Sequence, residues 1–259
     1  MTMVGVIGKR TQQFKIGQIM VSSNSGIRRI ILKLSGEALM GDGQFGISSK
    51  FIEQVAEEIK PLLSMKIELG IVVGGGNFFR GARLGSNDFS RITGDQLGMV
   101  ATVINALAIG DVFKRLHITT RVISAITLDG IVERYDYLKV DKILTSGTVV
   151  VFAAGTGHPL STTDTALCLR GIELNADLLL KATNVDGVYS HDPKQFKDAK
   201  LYNRITYKEA LEKNINVMDI AAFSLGRDHH KKIVVFNIHR KGAILRIVQG
   251  LSEGTVVEN

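Results

Sequence analysis

"IELGIVVGGGNFFRG", residues 67–81, decides how the rest of the chain is read. A β-branched run ends in three consecutive glycines, Gly74, Gly75 and Gly76, and Arg80 follows four positions later. The run reads as a buried strand, and glycine backbone after a strand can bring N–H groups close to an anion. The spacing is neither G-x-x-x-x-G-K-[ST] nor a G-x-G-x-x-G that opens a helix. The stretch therefore predicts a phosphate-holding turn outside the two familiar nucleotide loops. The plainer alternative is a tight turn packed under a following helix.

Outward from this strand the chain alternates. "RRIILKL", "TTRVISA", "TVVVFAA", "ADLLLKA" and "KKIVVFNIH" read as further short apolar strands. "SKFIEQVAEEIKPLLSM", "DQLGMVATVINALAIGDVFKRL", "TTDTALCLRGIEL", "ITYKEALEKN", "NVMDIAAFSLGRDH" and "GAILRIVQG" read as helices. Pro61 is expected to kink or end the first of these. The second is apolar almost all round, which predicts burial against a sheet or a partner subunit. Continuous apolar strands separated by helices predict an α/β fold, a three-layer α/β/α sandwich with a mostly parallel central sheet. Residues 1–26 show weak periodicity and end in a Ser/Asn/Gly cluster, so they are expected to form a flexible extension, with Met20 an alternative start. Residues 27–259 are expected to form one domain.

The chain has 259 residues, 45% hydrophobic and 22% charged, within the ordinary range for a soluble globular protein. Its apolar runs fall short of the roughly 18 consecutive residues of a membrane span, so no membrane role is expected. Cys168 is the single cysteine, so no internal disulfide forms and a reducing compartment fits; a buried structural thiol is the plain reading. The formal net charge is +7, but the basic residues are scattered, densest at 28–29, 231–232 and 239–241, with few aromatics among them. This favours small anionic substrates over nucleic acid.

Ligands of parallel sheets collect beyond the carboxyl ends of the strands, so the loops there carry the functional reading. "KLSG", residues 33–36, sends Lys33 out of a strand beside the bare backbone of Gly36. "GDQLGM" places Asp95 near a helix start, either as an N-cap or as an acceptor for sugar hydroxyls. "AAGTGHPLSTTD", residues 153–164, gathers two glycines, four hydroxyl side chains and His158 where a helix opens, suited to an anion or a polar base. Asp164 is either a first-turn helix acid or a group that holds Mg²⁺ or orients its neighbours. "KATNVDGVYSHDP" sends Lys181 toward the same edge, with Tyr189 placed to pack on a base and Asp192 to take a hydroxyl or amine. Two lysines, glycine turns and hydroxyls on one sheet edge describe a phosphoryl-transfer site without a Walker loop.

"KLSGEAL", "GGGNFFRG", "GDQLGM", "AGTGHPLSTTD", "KATNVDGVY" and "VMDIAAFSLGRDH" together resemble the bacterial UMP kinases, of the amino acid kinase fold, from about residue 28 onward. The resemblance implies transfer of the ATP γ-phosphoryl group to UMP, with Mg²⁺, in a cytoplasmic homohexamer that serves pyrimidine biosynthesis. Carried onto this chain, Lys33, Leu34, Ser35, Gly36, Gly76 and Arg80 would bind ATP, with Thr183, Tyr189 and Asp192 on its base and ribose side. Gly75 and Asp95 would bind UMP, together with Thr156, Gly157, His158, Pro159, Leu160, Ser161, Thr162 and Thr163. Lys33, Arg80, Asp164 and Lys181 would form the catalytic group, with no standing protein metal site. Gly41, Asp42, Gly43, Gln44, Phe45 and Gly46 match the family's segment for activation by GTP, and UTP is the expected inhibitor. His158 departs from the family's usual asparagine. The rival readings are a carboxylate kinase of the same fold and a non-catalytic nucleotide sensor.

Overall fold

The computed structural model describes residues 26–79, 89–215 and 217–259. Of the expected extension only Gly26 falls among them, and Arg80 lies outside them. The chain opens with β1 (Arg29–Leu34), a short 3-10 turn (Ala38–Met40), α1 (Ser49–Ser64) and β2 (Glu68–Val73). Then come α2 (Arg91–Arg115), β3 (Thr120–Ser124), β4 (Glu133–Arg134), α3 (Tyr137–Thr145) and β5 (Val149–Ala153). The second half contains α4 (Thr163–Glu173), β6 (Leu178–Thr183), β7 (Arg204–Thr206), α5 (Tyr207–Glu212), α6 (Ile220–Asp228), β8 (Ile233–Asn237), α7 (Ala243–Val248) and β9 (Thr255–Glu258).

Among the described residues the strands form one nine-stranded sheet in the order β4-β3-β5-β2-β1-β6-β8-β9-β7. Every pairing is parallel except β8 with β9. Period-2 alternation splits each central strand between two cores. Ile30, Leu32 and Leu34 face one layer with α1, α2 and α7; Ile31 and Leu179 face the other with residues of α3, α4 and α6. Lys33 follows Ile31 by two, and Lys181 follows Leu179 by two, so both lysines close the second face at its carboxyl edge. They are also register partners on neighbouring strands β1 and β6.

Four features depart from the sequence reading. Pro61 does not break α1: it sits in the final turn, where the missing N–H costs one hydrogen bond and the helix ends three residues later at Ser64. Asp95 does not cap α2, because Ser90 does, accepting from the Thr93 N–H. The sequence reading has no counterpart for α3, β4 or β9, and "RIT" before α5 is strand rather than helix. These are short edge elements whose pairing comes from tertiary context. Among the described residues α2 is also the one helix long and apolar enough to cross a membrane. It instead lays Val103, Ala106, Ile109, Val112 and Phe113 into the first core. Cys168 is buried and unbridged, and desolvation pushes its thiol up to about 12.

Candidate active site

The site begins with three ions. Lys181 Nζ lies 2.5 Å from Asp164 Oδ2, and Lys33 Nζ lies 3.1 Å from Asp164 Oδ1. All three side chains are nearly buried, at 11–13% exposure. Lys181 also donates to the Val217 carbonyl at 2.6 Å. Burial opposes ionisation of Asp164, but the two ammonium groups outweigh it and hold the carboxyl below its ordinary range. For Lys181 the balance reverses: desolvation lowers its affinity for the proton despite Asp164. Asp164 is thus a fixed anion between two cations on adjacent strands. Its Oδ1 is buried, with the Lys33 ammonium as its charge partner.

Asp164 is placed by the start of α4. Thr162 is the N-cap, accepting from the N–H groups of Asp164 and Thr165. Its hydroxyl donates to Asp219, which also accepts from Thr165 Oγ1 and caps α6 through the Ala222 N–H. Asp219 therefore ties the N-termini of both helices beside the lysines. It was not singled out from the sequence; the "MDIAAF" pattern, an Asp before an apolar helical run, is the cap signal that marks it.

The glycine turns divide into two kinds. A Cβ on Gly36 would lie 2.3 Å from the Gly76 nitrogen, and one on Gly75 would lie 2.5 Å from the Gly98 carbonyl on α2. These positions require glycine because backbones press together, which is the plainer of the two readings. Gly76 differs: its nearest neighbour would be Glu37 Cγ at 3.6 Å, so protein packing leaves room for a side chain there. Two outcomes follow. Gly36→Ala is expected to unsettle both turns and lower thermal stability. Gly76→Ala is expected to keep the wild-type melting temperature yet lose ATP affinity about tenfold, its methyl filling the space a phosphate would take. Calorimetric titration beside a thermal melt separates them.

Two cavities lie at this edge, one lined by Lys181 of the triad and the other by Thr162 and Thr163, next to Asp164. One, of about 580 Å³, is lined by Lys181, Thr183, Val185, Tyr189, Asp192 and Val217 among others. The other, of about 270 Å³, is lined by Gly75, Gly76, Asp95, Thr156, His158 and the hydroxyl run Ser161 to Thr163. Gly157, Pro159 and Leu160 do not line it. Gly157 adopts positive φ and packs on Ala125, and Leu160 is 67% exposed. The Leu160 N–H donates to Asp95 Oδ2 at 2.9 Å, and Arg91 pairs with the same carboxylate. Leu34 is fully buried, so only its backbone is available to a ligand, and Ser35 Oγ accepts from the Ala38 N–H. The segment Gly41 to Gly46 lies beside this edge, with Phe45 exposed and edge-on to Phe78. Asn77 and Asn105, both buried, were also missed in the sequence. Arg80 lies outside the described residues.

A parallel sheet with a lysine pair and two cavities at its carboxyl edge defines a phosphotransferase-type site, and residues 28–237 match the model of the amino acid kinase family. The uridylate kinase of Colwellia psychrerythraea is 53% identical over 232 residues, 90% of this chain and 94% of the relative. That of Actinobacillus pleuropneumoniae is 50% identical over 235 residues, covering 91% and 99%. Solved UMP kinases from Bacillus anthracis and Ureaplasma parvum superpose with TM-scores of 0.86 and 0.84 at 37% and 35% identity. They cover 90% of this chain and 96% and 99% of their own. The chain belongs to the amino acid kinase family, in its uridylate kinase branch.

Proposed function

We propose that this protein transfers the γ-phosphoryl group of ATP to UMP, giving UDP for pyrimidine nucleotide synthesis. One observation carries the reading: Lys33 and Lys181, register partners on β1 and β6, both pair with Asp164, and Lys181 lines the larger cavity while Thr162 and Thr163, next to Asp164, line the smaller one. The larger cavity takes the donor nucleotide and the smaller one the acceptor. The acceptor oxygen belongs to a phosphate already ionised near neutral pH, whose second pKa is about 6, so no general base is required. What the reaction asks of the protein is alignment and cationic charge along the transfer line. Lys33 and Lys181 supply the charge, and Asp164 keeps both ammonium groups aimed at the line until phosphate oxygens compete for them.

Asp95 supports a nucleotide acceptor over an amino-acid carboxylate. An ionised carboxylate accepts hydrogen bonds from ribose hydroxyls but repels a second carboxylate. Mg²⁺ accompanies ATP in this reading. Among the described residues no three His, Cys, Asp or Glu side chains gather as a ligand set. Asp164 would be the carboxylate to hold a metal that the phosphates bring, its buried Oδ1 exchanging the Lys33 ammonium, now 3.1 Å away, for it. Such a metal draws charge from the phosphoryl oxygens.

The same reading assigns Gly41 to Gly46 to activation by GTP, and UTP to inhibition. It places the enzyme in the cytoplasm as a homohexamer. The stripe Val100, Ile104 and Leu107 on the solvent face of α2, each 38–46% exposed, supports self-association. Light scattering checks the hexamer. ADP release with Mg-ATP is expected with UMP and not with acetylglutamate, glutamate or aspartate, and to rise with GTP. Turnover on a carboxylate would overturn the acceptor assignment.

A further inference from the structure

The geometry points to Asn77 and Asn105 as positioning residues that lock the phosphate turn Gly74–Gly76 to the segment Gly41–Gly46; this rests on the kinase reading above. Both side chains are buried, at 3% and 0% exposure. They form a reciprocal amide pair. Asn77 Nδ2 donates to Asn105 Oδ1 at 2.8 Å, and Asn105 Nδ2 donates to Asn77 Oδ1 at 2.7 Å. Each amide then spends its remaining N–H on a different loop. Asn105 reaches the Gly74 carbonyl at 2.7 Å, and Asn77 reaches the Gly46 carbonyl at 2.9 Å.

All four amide hydrogens are therefore used, and flipping either side chain would set donor against donor. A β-carbon on Gly36 would fall 2.8 Å from Asn77 Oδ1, so the turn after β1 also rests on this pair. Three segments thus share one buried hydrogen-bonded centre, anchored in the middle of α2. A buried amide pair is expensive to desolvate, and an aliphatic pair would fill the volume at lower cost. Its use here is explained by what it orients: a carbonyl in the phosphate turn and a carbonyl in the neighbouring segment. A displacement of the 41–46 segment is carried to the phosphate turn through two amides.

Asn105→Asp keeps the shape and the acceptor for Asn77 but faces the Gly74 carbonyl and Asn77 Oδ1 with oxygen instead of N–H. The expected result is a fall of about tenfold or more in kcat per folded active site, because a misplaced phosphate loses the transfer alignment. KM for UMP is expected to stay within about threefold, since its base and ribose contacts lie elsewhere. A purely structural role would lower the melting temperature and the titrated active fraction but leave kcat per site unchanged, and that result overturns the inference. Hydrogen exchange on the unaltered protein serves if the variant fails to fold. Adding ADP with UMP is expected to slow exchange in the peptide spanning 41–46 together with that spanning 74–78. Protection confined to 74–78 overturns the coupling. UMP turnover by the unaltered protein separates the two levels: with it present, unchanged Asn105→Asp kinetics remove only the positioning role, and without it both readings fall.

Discussion

Lys181→Met is expected to lower kcat with UMP and Mg-ATP by about two to three orders of magnitude, the scale seen when one preorganised charge partner of a transition state is removed. The methionine keeps most of the side chain's length and apolar stem, so β6 and its register with β1 are preserved. What disappears is one ammonium on the wall of the larger cavity, with its pairing to Asp164 and its hydrogen bond to the Val217 carbonyl. Because phosphoryl transfer asks for charge at the moving group, the loss should fall on kcat more than on KM for UMP. Lys33→Met is expected to behave alike, and the double variant should be little worse than either single one, since the two lysines act as a unit. Steady-state kinetics on the three variants test this. A Lys181→Met enzyme within threefold of wild type would remove the lysine pair from the mechanism.

Asp164→Asn is expected to cost about 3–5 kcal/mol of stability, the usual penalty for leaving a buried ion without its partner. For a chain of this size that is a fall of roughly 10 °C or more in melting temperature. The sign of its pH dependence follows from the direction of the shift. The folded-state pKa of Asp164 lies below its unfolded value. Its contribution is therefore present above the ordinary carboxylate range and is lost as pH falls through the lowered native value. Wild-type stability should drop over that acid window, while the asparagine variant, already without the contribution, should fall less steeply there. A second consequence is more specific. With Asp164 neutralised, two buried cations face each other across the site, and polyphosphate is the natural counter-ion. ATP added without divalent cation should raise the melting temperature of Asp164→Asn more than that of wild type. An equal or smaller rise would mean that the lysines do not face the phosphates.

Much of this was legible in the sequence because the strands are continuous apolar runs whose last residue on one face is charged. Lys33 in "RIILKL" and Lys181 in "LLLKAT" stand out for that reason. Only the fold shows that they are register partners. Asp164 was visible as an acid at a helix start, but its pairing with both lysines depends on the way α4 packs beneath the sheet edge. The glycine run serves packing as well as a cavity wall: Gly75 meets the Gly98 carbonyl of a helix more than twenty residues away, a contact that no local pattern reveals, while it and Gly76 line the smaller cavity. Asn77 and Asn105 were invisible for a related cause. A buried asparagine in an apolar helix is indistinguishable in sequence from an exposed one, and the two amides meet only when β2 and α2 are packed.

The pairing of Lys33 with Lys181 also orders events in time. A ribosome adding about 5–20 residues per second needs roughly seven to thirty seconds to travel from one lysine codon to the other. Once β2 has been made, β1 has it on one side, and on the other a bare edge where β6 belongs. Such an edge, apolar on both faces, invites pairing with another nascent chain. The strand that brings Lys181 beside Lys33 therefore also covers the open edge of β1 and passes that exposure to its own far side, where β8 later pairs.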